Sequence, residues 1–242
     1  MSKSIIIIPS RLAAKRLPNK PLIKINNKTL IMHVYEKATR SNLGDVYVAT
    51  CDEEIAEEVD KNGGKFIMTN NQHKSGTDRV YEACKKLNLQ NIDYVINLQG
   101  DEPMINPEDI RNLNMISKLN DFDFSTLAFN IKNKSDYLNK NIVKVITNNK
   151  ISFLMASTAK NFSRKISDNN ENIYHHYGVY MYKFSILEKF IKLKQSNNEI
   201  NESLEQLRAL DNKMNIYVLL AKHFSAGIDT RQDIDNYTKN TN

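Results

Sequence analysis

Four cations, Arg11, Lys15, Arg16 and Lys20, crowd into one loop that comes after the short apolar run at residues 4–8. Arginine grips phosphate oxygens in pairs and lysine supplies a compact positive charge, so such a loop can cradle a triphosphate and neutralise departing pyrophosphate. It is not a P-loop, because the glycines and the Gly-Lys-Ser/Thr ending are absent. A basic loop of this kind also reads as a solvated surface segment. Further on, Gln99-Gly100-Asp101-Glu102-Pro103 places a carboxylate directly after the run DYVINL. A carboxylate at a strand end suits a magnesium ion bridged to phosphates, and it equally suits a turn approaching a helix. Near the C-terminus, Gly227-Ile228-Asp229-Thr230 offers Asp229 either as a second metal partner or as the cap of a helix beginning at Arg231.

The elements that must carry these residues alternate. Apolar, β-branched runs at 4–8, 45–50, 65–68, 93–98, 124–130 and 142–147 read as strands. Helical periodicity at 30–38, 53–61 and 77–87 separates the early ones, with Gly63-Gly64 ending the second helix and Pro107 opening another. The second half is less regular: 161–172 reads as a polar loop or hairpin, 178–182 and 215–221 as strands, and 184–193, 202–210 and 231–239 as helices. Strands alternating with helices predict an α/β fold with a doubly wound, mostly parallel (mixed) sheet. Ligands bind outside the carboxyl ends of such strands, where Arg11, Ser75, Asp101 and Asp229 fall. No repeat or low-complexity linker divides residues 1–242, so a single domain is expected.

Composition narrows the function classes. The longest apolar run, Ile5 to Ile8, is too short for a membrane span or signal-peptide core, so no membrane insertion is expected. Cys51 and Cys84 form neither a metal-spaced cluster nor a disulfide framework, which fits reduced thiols in the cytoplasm. The net charge of +6 suggests an anionic partner. Its lysines are dispersed and its arginines do not cluster with aromatics, which favours a nucleotide over a nucleic acid. His33 and His223 read as structural.

Taken in order, the basic loop, His73-Lys74-Ser75-Gly76-Thr77-Asp78-Arg79, QGDEPMI, His176-Tyr177-Gly178-Val179-Tyr180, Glu202 to Arg208 with its LEQLR, and GIDT closely resemble the CMP-Kdo synthetases. These are 3-deoxy-manno-octulosonate (Kdo) cytidylyltransferases of the nucleotide-sugar pyrophosphorylase superfamily. The resemblance runs from Ile5 to about Tyr237, and it implies a nucleotide-binding half at about 1–130 and a sugar-binding and dimerisation half at about 131–242. It implies a nucleotide-diphospho-sugar transferase-like fold, a homodimer, and transfer of CMP from CTP to Kdo for lipopolysaccharide or capsule synthesis. By resemblance, Arg11 and Lys20 bind the triphosphate, Ser75 and Arg79 belong to the cytosine and ribose turn, and Gln99 lies near nucleotide and sugar. Asp101 and Asp229 match the Mg2+ pair, and His176, Glu205 and Gln206 match the wall of the acidic-sugar pocket.

One stretch departs from the family. Where a Ser-Arg pair, an Ile-Pro and another arginine are usual, residues 155–164 read MASTAKNFSR. The first arginine has no counterpart, and Arg164 stands as a candidate for the second. This leaves open a variant ulosonic acid, an amino-substituted Kdo or a sialic-type acid, as substrate. A non-catalytic nucleotide-binding homologue is a different class of reading, against which the intact Arg11, Lys20, Asp101 and Asp229 count.

Overall fold

A computed structural model of the chain describes residues 3–13, 17–88, 92–166, 171–224 and 227–241. The chain divides into two compact units, Met1–Arg111 with Ser225–Asn242, and Asn112–Phe224. In the first, β1 (Lys3–Pro9) is succeeded by a hairpin of β2 (Lys24–Ile25) and β3 (Lys28–Thr29), then α1 (Leu30–Arg40). Asn26 and Asn27 turn the hairpin at φ +50° and +65°, a left-handed pair that asparagine tolerates better than most residues. Next come β4 (Val46–Thr50), α2 (Glu53–Lys61), β5 (Phe66–Met68), α3 (Gly76–Leu87) and β6 (Ile92–Leu98).

These four longer strands lie in the order β5, β4, β1, β6, and every pairing is parallel. Ile6, Ile7 and Ile8 are fully buried, as a central parallel strand covered on both faces requires. Each contributes roughly 1.5–3 kcal/mol of apolar burial. All four strands therefore deliver their carboxyl ends, and the loops after them, to one edge.

Asn106 receives the Glu108 N–H and starts α4 (Pro107–Leu119), which carries the chain into the second unit. Then come β7 (Phe124–Asn130), β8 (Lys144–Thr147), β9 (Ser157–Ser163), β10 (Ile173–Lys183), α5 (Phe184–Ile191), α6 (Asn197–Glu202), α7 (Leu207–Asp211) and β11 (Tyr217–Leu220). The strands pair in the order β10, β7, β11, β9, β8, and β8 also pairs with β10, so the ladder returns on itself. Only β7 and β11 run parallel within this unit. Finally α8 (Arg231–Thr241) belongs to the first unit. The α/β class and the mostly parallel, mixed pairing agree with the sequence.

Three expectations in the second unit change. Residues 157–163, partly assigned to a loop, form β9, because β8 and β11 supply partners for a strand whose own pattern is weakly apolar. The strand expected at 178–182 extends to Ile173–Lys183. The helix expected at 202–210 is broken at Ser203, whose φ of +54° ends α6, and α7 starts afresh at Leu207. Among the described residues no helix is long and apolar enough to cross a membrane.

Candidate active site

At the end of β1 the chain turns through Ser10 and the exposed Arg11, and the Leu12 N–H donates to Asp52 Oδ2 at 2.8 Å. Lys15 and Arg16 lie outside the described residues. The loop resumes at Leu17 and tightens into a 3-10 turn, Lys20–Leu22, after Asn19 at φ +55°. An apolar cluster holds that turn. Ile25, Leu30, Ile228, Ile234 and Tyr237 are buried together, with Leu17, Ile23 and Met104 packed on them. His33 joins this cluster in a structural part, with Nε2 2.9 Å from the Ile25 carbonyl and its ring edge-on to Tyr237.

The packing brings three sequence-distant residues to one point. Lys20 Nζ donates to Asp101 Oδ2 at 2.7 Å, to the Ile228 carbonyl at 2.9 Å and to Asp229 Oδ1 at 3.0 Å. Gly227 permits the approach of the last loop: a Cβ there would stand 3.3 Å from Glu102 Oε1 and 3.5 Å from the Asp101 carbonyl. The Ile228 N–H then donates to that carbonyl at 2.8 Å. Asp229 is not the cap of α8. Asp233 Oδ2 takes the Asp229 and Thr230 N–H groups at 3.0 and 2.8 Å, and Thr230 Oγ1 takes the Asp233 N–H. The Asp229 carboxylate is thereby available to Lys20. Burial opposes the charge on Lys20, but the Asp101 and Asp229 charges and their hydrogen bonds outweigh it and raise the ammonium above its ordinary pKa.

Ser75 and Gln99 meet at the next strand ends. Ser75 caps α3, its Oγ accepting the Asp78 N–H at 3.1 Å. A Cβ on Gly76 would lie 3.5 Å from Pro9 Cγ and 3.7 Å from Gln99 Oε1, so the serine turn, β1 and Gln99 are neighbours. Gln99 Nε2 donates to Asn97 Oδ1 at 3.0 Å. Arg79 is buried and faces inward, bonding Thr69 Oγ1 and reaching Cys51 Sγ at 3.4 Å. It braces the ends of β4 and β5 behind the Ser75 turn.

Could this set hold a metal? Asp101 and Asp229, about one-third exposed, point hard oxygens at the same cation, joined by a backbone carbonyl. Among the described residues no three His, Cys, Asp or Glu side chains converge on a point. Two carboxylates suit magnesium, which usually takes one or two from the protein and the rest from substrate phosphates and water.

The remaining candidates belong to the second unit. His176 is buried on β10, with Nε2 3.0 Å from Thr126 Oγ1. That hydroxyl donates to the Val179 carbonyl at 2.7 Å, so it receives the Nε2 proton and fixes the tautomer. Phe162 packs edge-on to the ring at 5.1 Å. Burial, with His175 alongside, pushes the imidazole down to about 3, so it stays neutral. Gln206 is buried before α7, and Glu205 Oε1 lies 3.9 Å from Arg208 Nη2. Arg208 is anchored in turn by a two-pronged pair to buried Glu199, at 2.8 and 2.5 Å, a contact the sequence did not disclose.

A group whose folded pKa lies below its unfolded value binds fewer protons in the native state, so its stability contribution falls as pH drops below the unfolded value. For His176 that window opens near the ordinary histidine value of about 6.5 and closes near 3. Wild-type stability should therefore decline by up to about 1.4 kcal/mol per pH unit from this residue between about pH 6.5 and 4.5. Denaturant melts of His176→Gln should show a shallower slope over that interval. Equal slopes would contradict a buried neutral imidazole.

Lys20 in the loop after β1, Asp101 just past β6 and Asp229 ahead of α8 meet at one ammonium beside parallel strand ends, an arrangement that suits a nucleotidyltransferase. The family model described as cytidylyltransferase matches residues 5–216. The chain belongs to the cytidylyltransferase family, among the 3-deoxy-manno-octulosonate enzymes. It is 43% identical to 3-deoxy-manno-octulosonate cytidylyltransferase of Thermodesulfovibrio yellowstonii, covering 96% of this chain and 95% of that one. Identity to the same-named protein of Brucella canis is 40%, over 96% and 93%. A solved structure of CMP:2-keto-3-deoxy-manno-octonic acid synthetase complexed with CTP superposes with a TM-score of 0.89 at 35% identity, covering 99% and 98% of the two chains. A cytidylyltransferase from Leptospira borgpetersenii shares the fold alone, with a TM-score of 0.66 at 18% identity over 98% and 86%.

Proposed function

We infer that the chain joins CMP from CTP to Kdo and releases pyrophosphate. The observation that carries this is the convergence of Lys20, Asp101 and Asp229 where parallel strands end. The anomeric oxygen of the sugar forms a bond to the α-phosphorus, and the bond from that phosphorus to the departing pyrophosphate oxygen breaks. The hydroxyl proton passes to solvent. Positioning and charge neutralisation dominate such a reaction. In this reading Arg11 and Lys20 neutralise the triphosphate, Ser75 and Gln99 line the nucleotide side, and Arg79 supports that side from behind. Asp101 and Asp229 hold the metal, for which Mg2+ is the reading. Bound there, magnesium would stabilise phosphate charge and lower the pKa of the sugar hydroxyl. His176, Glu205 and Gln206 form the sugar side, with His176 offering a neutral ring rather than a base.

The reading carries a homodimer working in the cytoplasm. In support, every large apolar side chain exposed among the described residues, Leu119, Leu154 and Met155 among them, lies in the second unit.

A second reading, a modified ulosonic acid, is favoured by one observation. Arg164 donates to the carbonyls of Lys140, Glu202 and Ser203 at 3.1, 2.9 and 3.4 Å, so its guanidinium is already engaged with backbone. Losing an arginine partner for a carboxylate costs about 1.5–3 kcal/mol, or roughly ten- to a hundredfold in affinity. Kinetics with Kdo and its 8-amino analogue side by side decide between the sugars. This reading expects a weak Michaelis constant for Kdo or a gain for the analogue. An ordinary constant for Kdo with no gain would remove it and leave CMP transfer to plain Kdo standing.

A further inference from the structure

The second unit contains two cations turned inward onto backbone. Lys144 on β8 is fully buried, and its ammonium donates to the carbonyls of Asn139 at 2.8 Å and Ile142 at 2.7 Å and to that of Arg164. Arg164 passes the connection on. Its N–H donates to Glu202 Oε2 at 3.1 Å, and its guanidinium takes the carbonyls of Lys140, Glu202 and Ser203. Six backbone carbonyls from three segments are thus gathered by two side chains. Two of them, Glu202 and Ser203, are the last carbonyls of α6 and its cap, groups that helix geometry leaves without an internal partner.

Both cations sit beside residues assigned to the sugar. Ser203 leaves α6 in a left-handed conformation, and Glu205 and Gln206 come two and three residues later. On the other side, Lys144 pairs across the ladder with His175, and the His176 N–H donates to the Val143 carbonyl at 2.8 Å. The Glu205 stretch thus follows directly on carbonyls held by Arg164, and the His176 stretch is paired through backbone to the strand that carries Lys144.

We propose that Arg164, seated through Lys144, is a positioning residue for the sugar side, acting through Glu205 and Gln206. This rests on the assignment of Glu205 to the sugar, so the test carries both. Michaelis constants for Kdo and for CTP are measured for Arg164→Ala, Arg164→Lys, Glu205→Gln and the Arg164→Ala/Glu205→Gln double variant. Displacement of a positioned group by about 1 Å costs up to about a hundredfold, so Arg164→Ala should raise the Kdo constant at least about tenfold. The CTP constant should stay within about twofold. Arg164→Lys should recover part of the loss, since one ammonium cannot span three carbonyls as the planar fork does. The double variant should be no worse than the worse single, because both changes act on one element. If Arg164→Ala does not fold, Arg164→Lys, again with Glu205→Gln, carries the same comparison. An unchanged Kdo constant at Arg164 with a raised one at Glu205 overturns the proposal and spares the assignment of Glu205. Additive losses would mean that Arg164 touches the sugar itself, which also overturns it. No effect at either position would remove the Glu205 assignment and the proposal together.

Discussion

Asp101→Asn is expected to lower turnover about thousandfold, in a protein that still folds. The carboxylate shares its cation with Asp229, and the amide that replaces it keeps the shape while losing the charge a metal needs. Metal assistance to a phosphoryl transfer is worth several kcal/mol, and each 1.4 kcal/mol is about tenfold in rate. Stability should scarcely move. Asp101 is about one-third exposed, so its ion pair with Lys20 contributes at most about 1 kcal/mol, and the backbone bond from Ile228 to the Asp101 carbonyl is untouched. Asp229→Asn should behave alike, because Thr230, reciprocated by Asp233, caps α8 and Asp229 does not. Near-full activity of either variant at saturating magnesium, with an unchanged melting temperature, would strike that residue from the metal site.

Lys20→Met should weaken CTP use by on the order of a hundredfold, the usual cost of deleting one positioned charge donor at a developing negative charge. The ammonium stays charged through neutral pH because its two carboxylates outweigh the burial that opposes it. On the proposed function, its removal takes a cation from the phosphates, and it leaves the Asp101 and Asp229 carboxylates without the ammonium they share. Steady-state kinetics separate the outcomes, since a bland surface lysine would leave kcat/KM for CTP unchanged. Arg11 is exposed at the same strand end, while the three bonds that fix the ammonium between the carboxylates and the Ile228 carbonyl all belong to Lys20.

Much of the first unit was legible in the sequence, for a physical reason. A parallel strand covered on both faces must be apolar throughout, and Gly63-Gly64 just past α2 and Pro107 at the start of α4 mark helix ends by residue type. The site was legible in residue type but not in pairing. Asp229 had two readings in sequence, and only the bonds from Asp229 and Thr230 to Asp233 release it toward Lys20. Arg79, grouped with the nucleotide turn by its motif, faces inward instead, which spacing does not reveal. The second unit was harder. β9 carries Lys160 and Asn161 exposed in mid-strand, so its own pattern is poor, and its identity comes from β8 and β11. At the break, Arg164 takes the Glu202 and Ser203 carbonyls and the Glu199–Arg208 pair ties α6 to α7, long-range contacts that helical periodicity overlooks.

The central claim is tested most directly by pyrophosphate release from the wild-type protein given CTP, magnesium and Kdo, with each component omitted in turn. Release that requires all three, accompanied by CMP-Kdo in equal amount, is the predicted result. Release without the sugar, or none with CTP and any ulosonic acid at saturating magnesium, would contradict it.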